Sequence, residues 1–384
     1  MNKNSNVVRI GIEARVLCNN ERRGVAQYLY RLISELANIS TNEKYYLFVD
    51  RDIHPNNIIN HPRVEVLKIP ECKGYRFNSW LHYKLQLHIL RNRYDLVYYP
   101  HNVLPIYNPT KVVLGIHDAK LFRIRNTLLG RYVADAGMYL PMAVKRADRV
   151  ICMSRFSLLE IERDIGDLNN AIVVHEGISP IYDIVKIDGT IREKIRIKYG
   201  ITNKFILALA ASAKYKNVNM LVESFDMIRN KLPDKYKLVL VGSQSVSDVD
   251  FINTIQRRGL NDDVTYTGYI PDQELIVLYN CAECFVFPSL YEGFGFPPLE
   301  AMACGTPVLT SNVSSIPEIV EDACVQADAT DKMNFSEALY DFLINLRNVE
   351  YRKRIVEKGY AHAKRFSWNK TAVDTLKIFN EIIS

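Results

Sequence analysis

Short apolar runs alternate with segments of helical periodicity along almost the whole chain, and this pattern restricts the fold to parallel sheets covered on both faces by helices. Val7–Ile12 is the first strand candidate, after which Val25, Tyr28, Leu29, Leu32, Ile33 and Leu36 recur at helical spacing. Further strands are expected at Tyr46–Val49, Val64–Ile69, Leu96–Tyr99, Lys111–Ile116, Val150–Met153 and Ala171–Val174. A charged stretch over 181–200, ending in a helix at Ile191–Tyr199, interrupts the alternation, which then begins afresh. Phe205–Ala210 reads as a strand, Val218, Leu221, Val222, Phe225, Ile228 and Leu232 mark a helix, and Lys237–Val241 is the next strand. A helix around Phe251–Ile255, a strand at Val264–Tyr266, a helix from Glu274 to Asn280 and a buried strand at Cys284–Phe287 follow. With 384 residues, 48% of them hydrophobic, there is material for two cores. The expected division is 1–180 and 201–367, with a linker at 181–200 and a terminal helix at 368–384.

The segment Pro288-Ser289-Leu290-Tyr291-Glu292-Gly293-Phe294-Gly295-Phe296-Pro297-Pro298-Leu299-Glu300-Ala301-Met302 places two carboxylates eight positions apart, with glycines and a double proline between them, ahead of a helix. Glycines let backbone N–H groups approach a polar ligand, Pro297 or Pro298 suits the first helical position, and Gly305 is a plausible stop after about two turns. Strand, glycine loop and helix start in this order make an anion site. Glu292 is expected in the loop and Glu300 in the first helical turn, each able to bind two sugar hydroxyls. Ligands in such sheets bind beyond the carboxyl ends of the strands, so two units would line a cleft with these loops.

The segment resembles the E-x7-E signature of family 4 retaining glycosyltransferases, and the match continues through Ser311-Asn312-Val313-Ser314-Ser315-Ile316-Pro317-Glu318. Locally it is most similar to bacterial polysaccharide and O-antigen mannosyltransferases and rhamnosyltransferases. The resemblance implies an α/β fold of two Rossmann-like doubly wound domains facing a cleft, the GT-B arrangement, with the terminal helix crossing back to the first domain. It also implies transfer of a hexose, with retention, from a nucleotide diphosphate sugar to a hydroxyl of a glycan or lipid-linked acceptor. Same-face attack would pass through an oxocarbenium-like state, the leaving phosphate helping to take the acceptor proton. On this reading Glu292 orients the donor sugar, Gly293, Phe294, Gly295 and Phe296 contribute backbone contacts, and Glu300 holds the ribose. GDP-mannose is the favoured donor.

Departure of a nucleoside diphosphate needs a cation to meet the developing charge. Ala211-Ser212-Ala213-Lys214-Tyr215-Lys216-Asn217-Val218 follows a strand and opens a helix, and it resembles the family's arginine/lysine pair. Lys216 is the match, followed as in the family by Asn, while the arginine is replaced and Lys214 is its candidate substitute. Gly24, after the loop Glu13–Arg23, resembles the family's phosphate-facing glycine loop. His117-Asp118, at the end of a strand, resembles the histidine-aspartate step near the reacting sugar, and His101-Asn102 is a fainter case for acceptor contact. Gly268 and Tyr269 match the main-chain contacts to the nucleobase. His175-Glu176-Gly177 resembles an Asn-Gly turn with Glu176 in place of Asn, and carries no assigned role.

Asp248-Val249-Asp250 reads as a helix cap and first turn, and no acidic or histidine cluster has metal spacing, so neither metal nor cofactor is expected. Seven cysteines form no even framework, which fits free thiols; Cys281 and Cys284 read as core residues. No apolar run reaches membrane-span length and the polar opening lacks a signal-peptide core, giving a cytoplasmic expectation. Through Pro180 the chain carries 25 Lys and Arg against 17 Asp and Glu, and the remainder is slightly acidic. That charge suits an anionic lipid surface or a phosphorylated acceptor, or only a solvated face; no nucleic-acid motif accompanies it. Tyr75–Arg93 and Lys120–Arg131 read equally as interfacial helices at the inner membrane face or as core helices with a basic rim. Two rival functions share the architecture: a sugar-nucleotide 2-epimerase, which lacks this glutamate spacing, and a non-catalytic carbohydrate-binding protein.

Overall fold

The computed structural model describes residues 7–19, 24–70, 79–118, 141–210, 213–242 and 249–384. The chain divides into two compact units, the first comprising Met1–Gly177 with Ser367–Ser384 and the second Ile178–Phe366. Lys120–Arg131 and Asp248 lie outside the described residues, as do the first residues of the Tyr75–Arg93 stretch.

In the first unit, seven described strands form one sheet: β1 (Val8–Glu13), β2 (Glu43–Val49), β3 (Val64–Lys68), β4 (Leu96–Tyr99), β5 (Lys111–Ile116), β6 (Arg149–Cys152) and β7 (Ala171–Val173), in the order β3-β2-β1-β4-β5-β6-β7. Every pairing is parallel, with Ile10 opposite Tyr45 on one side and Leu96 on the other. The central strands are buried on both faces, which is why β4 reads as an unbroken apolar run rather than an alternating one. Helix α1 (Val25–Ile39) buries Tyr28, Leu29, Leu32, Ile33 and Leu36, the set at helical spacing. A π-helical turn at Trp80–Lys84 leads into α2 (Leu85–Asn92). Trp80, Leu81, Leu85 and Ile89 are core, while Tyr83, Leu87 and Leu90 are exposed. Helix α3 (Arg155–Ile165) starts with a Ser154 cap to Ser157 N–H.

The second unit opens with α4 (Gly189–Lys198), so 181–200 is not a bare connection: Lys198 Nζ lies 2.7 Å from Glu274 on α7 (Asp272–Cys281). Its six described strands are β8 (Lys204–Leu209), β9 (Tyr236–Val241), β10 (Val264–Gly268), β11 (Cys284–Phe287), β12 (Val308–Ser311) and β13 (Val325–Ala327), all parallel, in the order β10-β9-β8-β11-β12-β13. Between strands run α5 (Val218–Ile228), α6 (Val249–Arg257), α8 (Phe296–Ala303) and α9 (Ile316–Val320), followed by α10 (Lys332–Asn345) and α11 (Val349–Ala363). Helix α6 begins at Val249, placing Asp250 in its first turn. Helix α8 begins one residue before the prolines, so Glu300 stands in the second turn rather than the first.

The last helix, α12 (Trp368–Ile383), belongs to the first unit. Trp368 packs edge-on to Tyr28 at 5.8 Å, Phe379 lies 5.5 Å from Tyr98, and Thr371 Oγ1 donates to the His175 carbonyl at 2.9 Å. Among the described residues no helix is long and apolar enough to cross a membrane, and the cysteines are free thiols.

Candidate functional site

Each sheet reverses its strand order once, between β1 and β4 in the first unit and between β8 and β11 in the second. The crevice beyond the strand ends at such a reversal is where open parallel sheets bind ligands. In the second unit the chain leaves β8 toward the turn Lys214–Lys216 and α5, and leaves β11 into the glycine loop and α8. The two loops are tied together: Leu290 N–H donates to the Tyr215 carbonyl at 2.7 Å and Ser289 Oγ to the same oxygen at 3.3 Å. Across this tie Lys216 Nζ stands 2.7 Å from Glu292 Oε1, and Ser289 Oγ donates to that oxygen at 2.6 Å.

Lys216 stands just before a helix start, where the dipole disfavours a cation; Glu292 supplies the compensating anion. The ammonium also lies 5.2 Å from the Phe287 ring centroid. The two side chains keep 20% and 14% exposure, sheltered enough to strengthen the pair yet open to an incoming ligand. Asn217 adopts a left-handed conformation, φ 58°, and donates its amide to the Ala329 carbonyl. That backbone requirement accounts for Asn after the lysine, since Asn tolerates this region better than most residues. Lys214 is exposed and its ammonium has no recorded partner among the described residues, so the structure does not bring it to Glu292.

The Glu292 backbone is held by serines from the turn after β12. Glu292 N–H donates to Ser314 Oγ at 2.8 Å, Ser314 Oγ donates to the Glu292 carbonyl at 2.7 Å, and Ser315 Oγ donates to the carbonyls of Glu292 and Phe294 at 3.0 and 2.7 Å. Ser289 and Ser315 are fully buried. The Phe294 carbonyl is therefore engaged within the loop, and its ring packs on Phe296 at 5.0 Å. Gly295 sits at φ 116°, and a Cβ there would come within 2.8 Å of Ile316 Cδ1, so glycine is required. The double proline modifies the expected anion site. Pro297 and Pro298 carry no N–H, leaving Gly295 and Phe296 to supply the directional donors while the helix dipole remains.

Glu300 differs in kind from Glu292. Burial, reinforced by the nearby Asp272 charge and opposed by a hydrogen bond from Tyr182, pushes its carboxyl up to about 8. A carboxyl that is neutral near pH 7 both donates and accepts, which matches a neutral diol better than a phosphate. The Tyr279 hydroxyl, also close to Glu300, is buried with no hydrogen-bond partner among the described residues. Gly268 ends β10 and Tyr269 beside it is exposed.

Gly24 and His117 lie in the first unit. Gly24, φ 50°, opens α1, whose Tyr28 meets the His117 ring edge-on at 4.5 Å. Both His117 nitrogens are occupied, Nδ1 by Glu176 Oε1 and Nε2 by the Pro100 carbonyl, each at 2.8 Å. The ring is thus fixed by its own unit, and Glu176, which the sequence left without a role, is its orienting partner. Sequence reasoning also gave no role to Ser289 and Ser315, which are fully buried and which no local sequence signal marks out.

Among the described residues, no three His, Cys, Asp or Glu side chains gather as metal ligands. Comparison with known proteins gives a consistent picture. Residues 191–362 match the family described as glycosyl transferases group 1, and residues 22–180 match glycosyltransferase family 4. The O-antigen chain mannosyltransferase B of Escherichia coli is 30% identical over 371 residues, covering 93% of this chain and 95% of that one. The O-antigen chain mannosyltransferase RfbU of Salmonella typhimurium is 26% identical over 315 residues, covering 82% and 80%. In fold the chain is similar to sucrose-phosphate synthase from Thermosynechococcus elongatus, with a TM-score of 0.76, 18% identity and coverage of 98% and 99%. It is also similar to Anabaena HepE in complex with UDP and glucose, with a TM-score of 0.72, 17% identity and coverage of 97% and 100%.

Proposed function

The chain belongs to the group 1 and family 4 glycosyltransferases of GT-B fold, and we propose that it is a retaining mannosyltransferase of bacterial surface-polysaccharide synthesis. Its donor on this reading is GDP-mannose and its acceptor a hydroxyl of a glycan or lipid-linked saccharide. The observation that carries the assignment of roles is the Lys216, Glu292 and Ser289 cluster at the reversal of the second sheet. The O-antigen mannosyltransferase relatives favour mannose.

Lys216 meets the diphosphate as the glycosidic bond breaks, with the α8 dipole as the second source of positive potential. Glu292, released from the ammonium when the anion arrives, turns its oxygens to hydroxyls of the transferred sugar. Glu300 holds the ribose as a neutral acid, and the backbone around Gly268 and Tyr269 meets the base. By resemblance, His117, oriented by Glu176, and Gly24 are the first unit's candidates for ligand contact. Charge neutralisation by Lys216 and the helix start makes the reaction metal-independent on this reading; the rate is expected to be unchanged by EDTA, and its loss on chelation would overturn this.

The exposed stripe Tyr83, Leu87 and Leu90, flanked by exposed Arg91 and Arg93, favours a peripheral position at the inner face of the membrane, with the protein otherwise cytoplasmic. Flotation with anionic vesicles at low salt tests this; protein left at the bottom of the gradient removes it. The transferase reading is tested with a panel of nucleotide sugars, alone and with acceptor, followed by NMR of the product anomer. Acceptor-dependent release of GDP with a retained anomeric centre supports it. An inverted product refutes retention, and conversion of the donor to its epimer without acceptor points to an epimerase.

A further inference from the structure

The segment 178–185, which precedes α4 in the second unit, carries a tyrosine to which the roles above assign nothing. Its backbone is tied down along its length. Ile178 N–H donates to the Phe366 carbonyl at 3.1 Å, Tyr182 N–H to the Ser179 carbonyl at 3.1 Å, and Val185 N–H to Asn280 Oδ1 on α7 at 3.0 Å; Asn280 Nδ2 returns a bond to the Asp183 carbonyl at 3.2 Å. The Asp183 carboxylate accepts from the Tyr360 hydroxyl on α11 at 2.9 Å and stands 3.0 Å from Lys364 Nζ just beyond that helix. Among these anchors Tyr182 is 7% exposed, and its ring meets the Tyr279 ring edge-on at 6.1 Å. Its hydroxyl donates to the Glu300 carboxyl.

Burial holds the Tyr182 phenol far above its ordinary range, so it keeps its proton and is the donor of this bond. Glu300 is only partly buried, so a ligand can reach the carboxyl that Tyr182 holds. The last torsion of a glutamate is broad, and a carboxyl turns about it unless a bond fixes it. Among the described residues no other group hydrogen-bonds this carboxyl. The titratable groups around it are Tyr182 itself, Asp272 and Tyr279 of α7, and Cys304 just beyond α8, with the Asp183–Lys364 pair next to Cys304.

We propose that Tyr182 is a positioning residue for the donor nucleotide: its hydroxyl fixes the Glu300 carboxyl by one oxygen and leaves the other to the ribose hydroxyls of a nucleoside diphosphate. The proposal rests on the reading of Glu300 as the ribose-binding acid, and its test separates the two. A carboxyl already held in place does not have to be ordered when the nucleotide arrives, so its bonds to the ribose count more fully toward affinity. Tyr182 also sets the pH range of the site. Its bond favours the ionised carboxyl, against burial and the Asp272 charge, so loss of the hydroxyl moves the Glu300 titration to higher pH.

Tyr182→Phe keeps the ring against Tyr279 and removes only the hydroxyl. ADP, GDP and UDP are titrated into the full chain by calorimetry, and the one that binds is compared with its 2′,3′-dideoxy form at pH values on either side of the Glu300 midpoint of about 8. In Tyr182→Phe the ribonucleotide Kd is expected to rise about five-fold, the worth of one neutral hydrogen bond, while that of the dideoxy form stays within about two-fold. The curve of ribonucleotide affinity against pH should move to higher pH. In a Glu300→Ala background, Tyr182→Phe should change neither Kd, because the hydroxyl acts through the acid. Equal weakening of both nucleotides, a loss that persists in the Glu300→Ala background, or a pH curve that does not move overturns the proposal, as does unchanged ribonucleotide binding. If the wild type itself binds none of the three nucleotides, or binds the ribose and dideoxy forms alike, the reading of Glu300 as the ribose acid fails first and takes the proposal with it.

Discussion

The two sheets place an acid beside a cation at the same topological position, and they surround it differently. At the β8/β11 reversal, Glu292 and Lys216 keep 14% and 20% exposure and are positioned by hydroxyls from Ser289, Ser314 and Ser315. At the β1/β4 reversal, Glu13 is shut in between Arg15 and His101, and Arg15 is pressed on Trp80. The two cations are equally exposed, at 20%, so the acid makes the difference: an accessible carboxylate can exchange its partner for a ligand, whereas a buried one holds its geometry because separating it leaves a charge unpaired. The difference assigns movement to the second unit and rigidity to the first.

Truncation on the two sides gives the sharpest contrast. Glu13→Ala takes away the buried carboxylate that faces Arg15 and His101 and is expected to destabilise the protein by about 1.5–3 kcal/mol, read from urea unfolding. Glu292→Ala leaves a lysine that reaches water and is expected to lose no more than about 1 kcal/mol. Equal losses would erase the distinction between a closed pair and an open one. Turnover reverses the ranking for the open site: Glu292→Ala and Lys216→Ala each lower kcat by about 10²–10³, the scale of removing one group that stabilises developing charge. The double variant should fall well short of the product of the two, because the residues act as one unit. A Lys216→Ala enzyme with kcat near that of the wild type would remove the ammonium from the reaction.

What the sequence disclosed follows the same division. Cys284–Phe287 was legible because a strand buried on both faces must be apolar throughout, and Lys216, Glu292 and Glu300 were legible through spacing in a local motif. Pairing was not legible. Lys216 and Glu292 are 76 positions apart, and His117 and Glu176 are 59 apart. These contacts depend on strand order, which periodicity leaves open, so Glu176 looked like a departure from a pattern rather than the partner of a histidine. Ser289 and Ser315 read as ordinary loop residues, because nothing local tells a buried hydroxyl from a solvated one. The placement of Glu300 in the second turn depended on whether α8 starts before or at its prolines, a boundary that proline alone does not fix.

Glu300 tests whether the second unit also contains a closed acid beside its open one. Its carboxyl is raised to about 8 from the ordinary 4.5, so between those values the folded protein holds a proton that the unfolded chain has lost. Stability from this group therefore declines as pH rises through that window and is lowest above it. Glu300→Gln removes the titration, so the variant should match the wild type near pH 5 and exceed it above pH 8. A shift of this size corresponds to about 5 kcal/mol in full, and the partly exposed edge of the residue reduces the expected gain to about 2 kcal/mol. Urea midpoints at the two pH values decide it; a difference that does not change with pH would mean that Glu300 is ionised throughout and belongs with Glu292.

The smallest effect comes from the hydroxyls that hold the open acid. Ser315→Ala removes a buried donor to the Phe294 and Glu292 carbonyls, while Ser314 continues to bond the Glu292 backbone in both directions. The Phe294 carbonyl then loses its serine donor, and stability should fall by about 1 kcal/mol. If these serines place Glu292 rather than only stabilise the fold, the donor KM should rise several-fold while kcat changes less, because the loop still reaches the reactive geometry once the anion has drawn Lys216 away. An equal loss of stability with both kinetic constants unchanged would mean that Ser289 and Ser314 suffice to position Glu292, and that the accessible pair needs less support than the closed one.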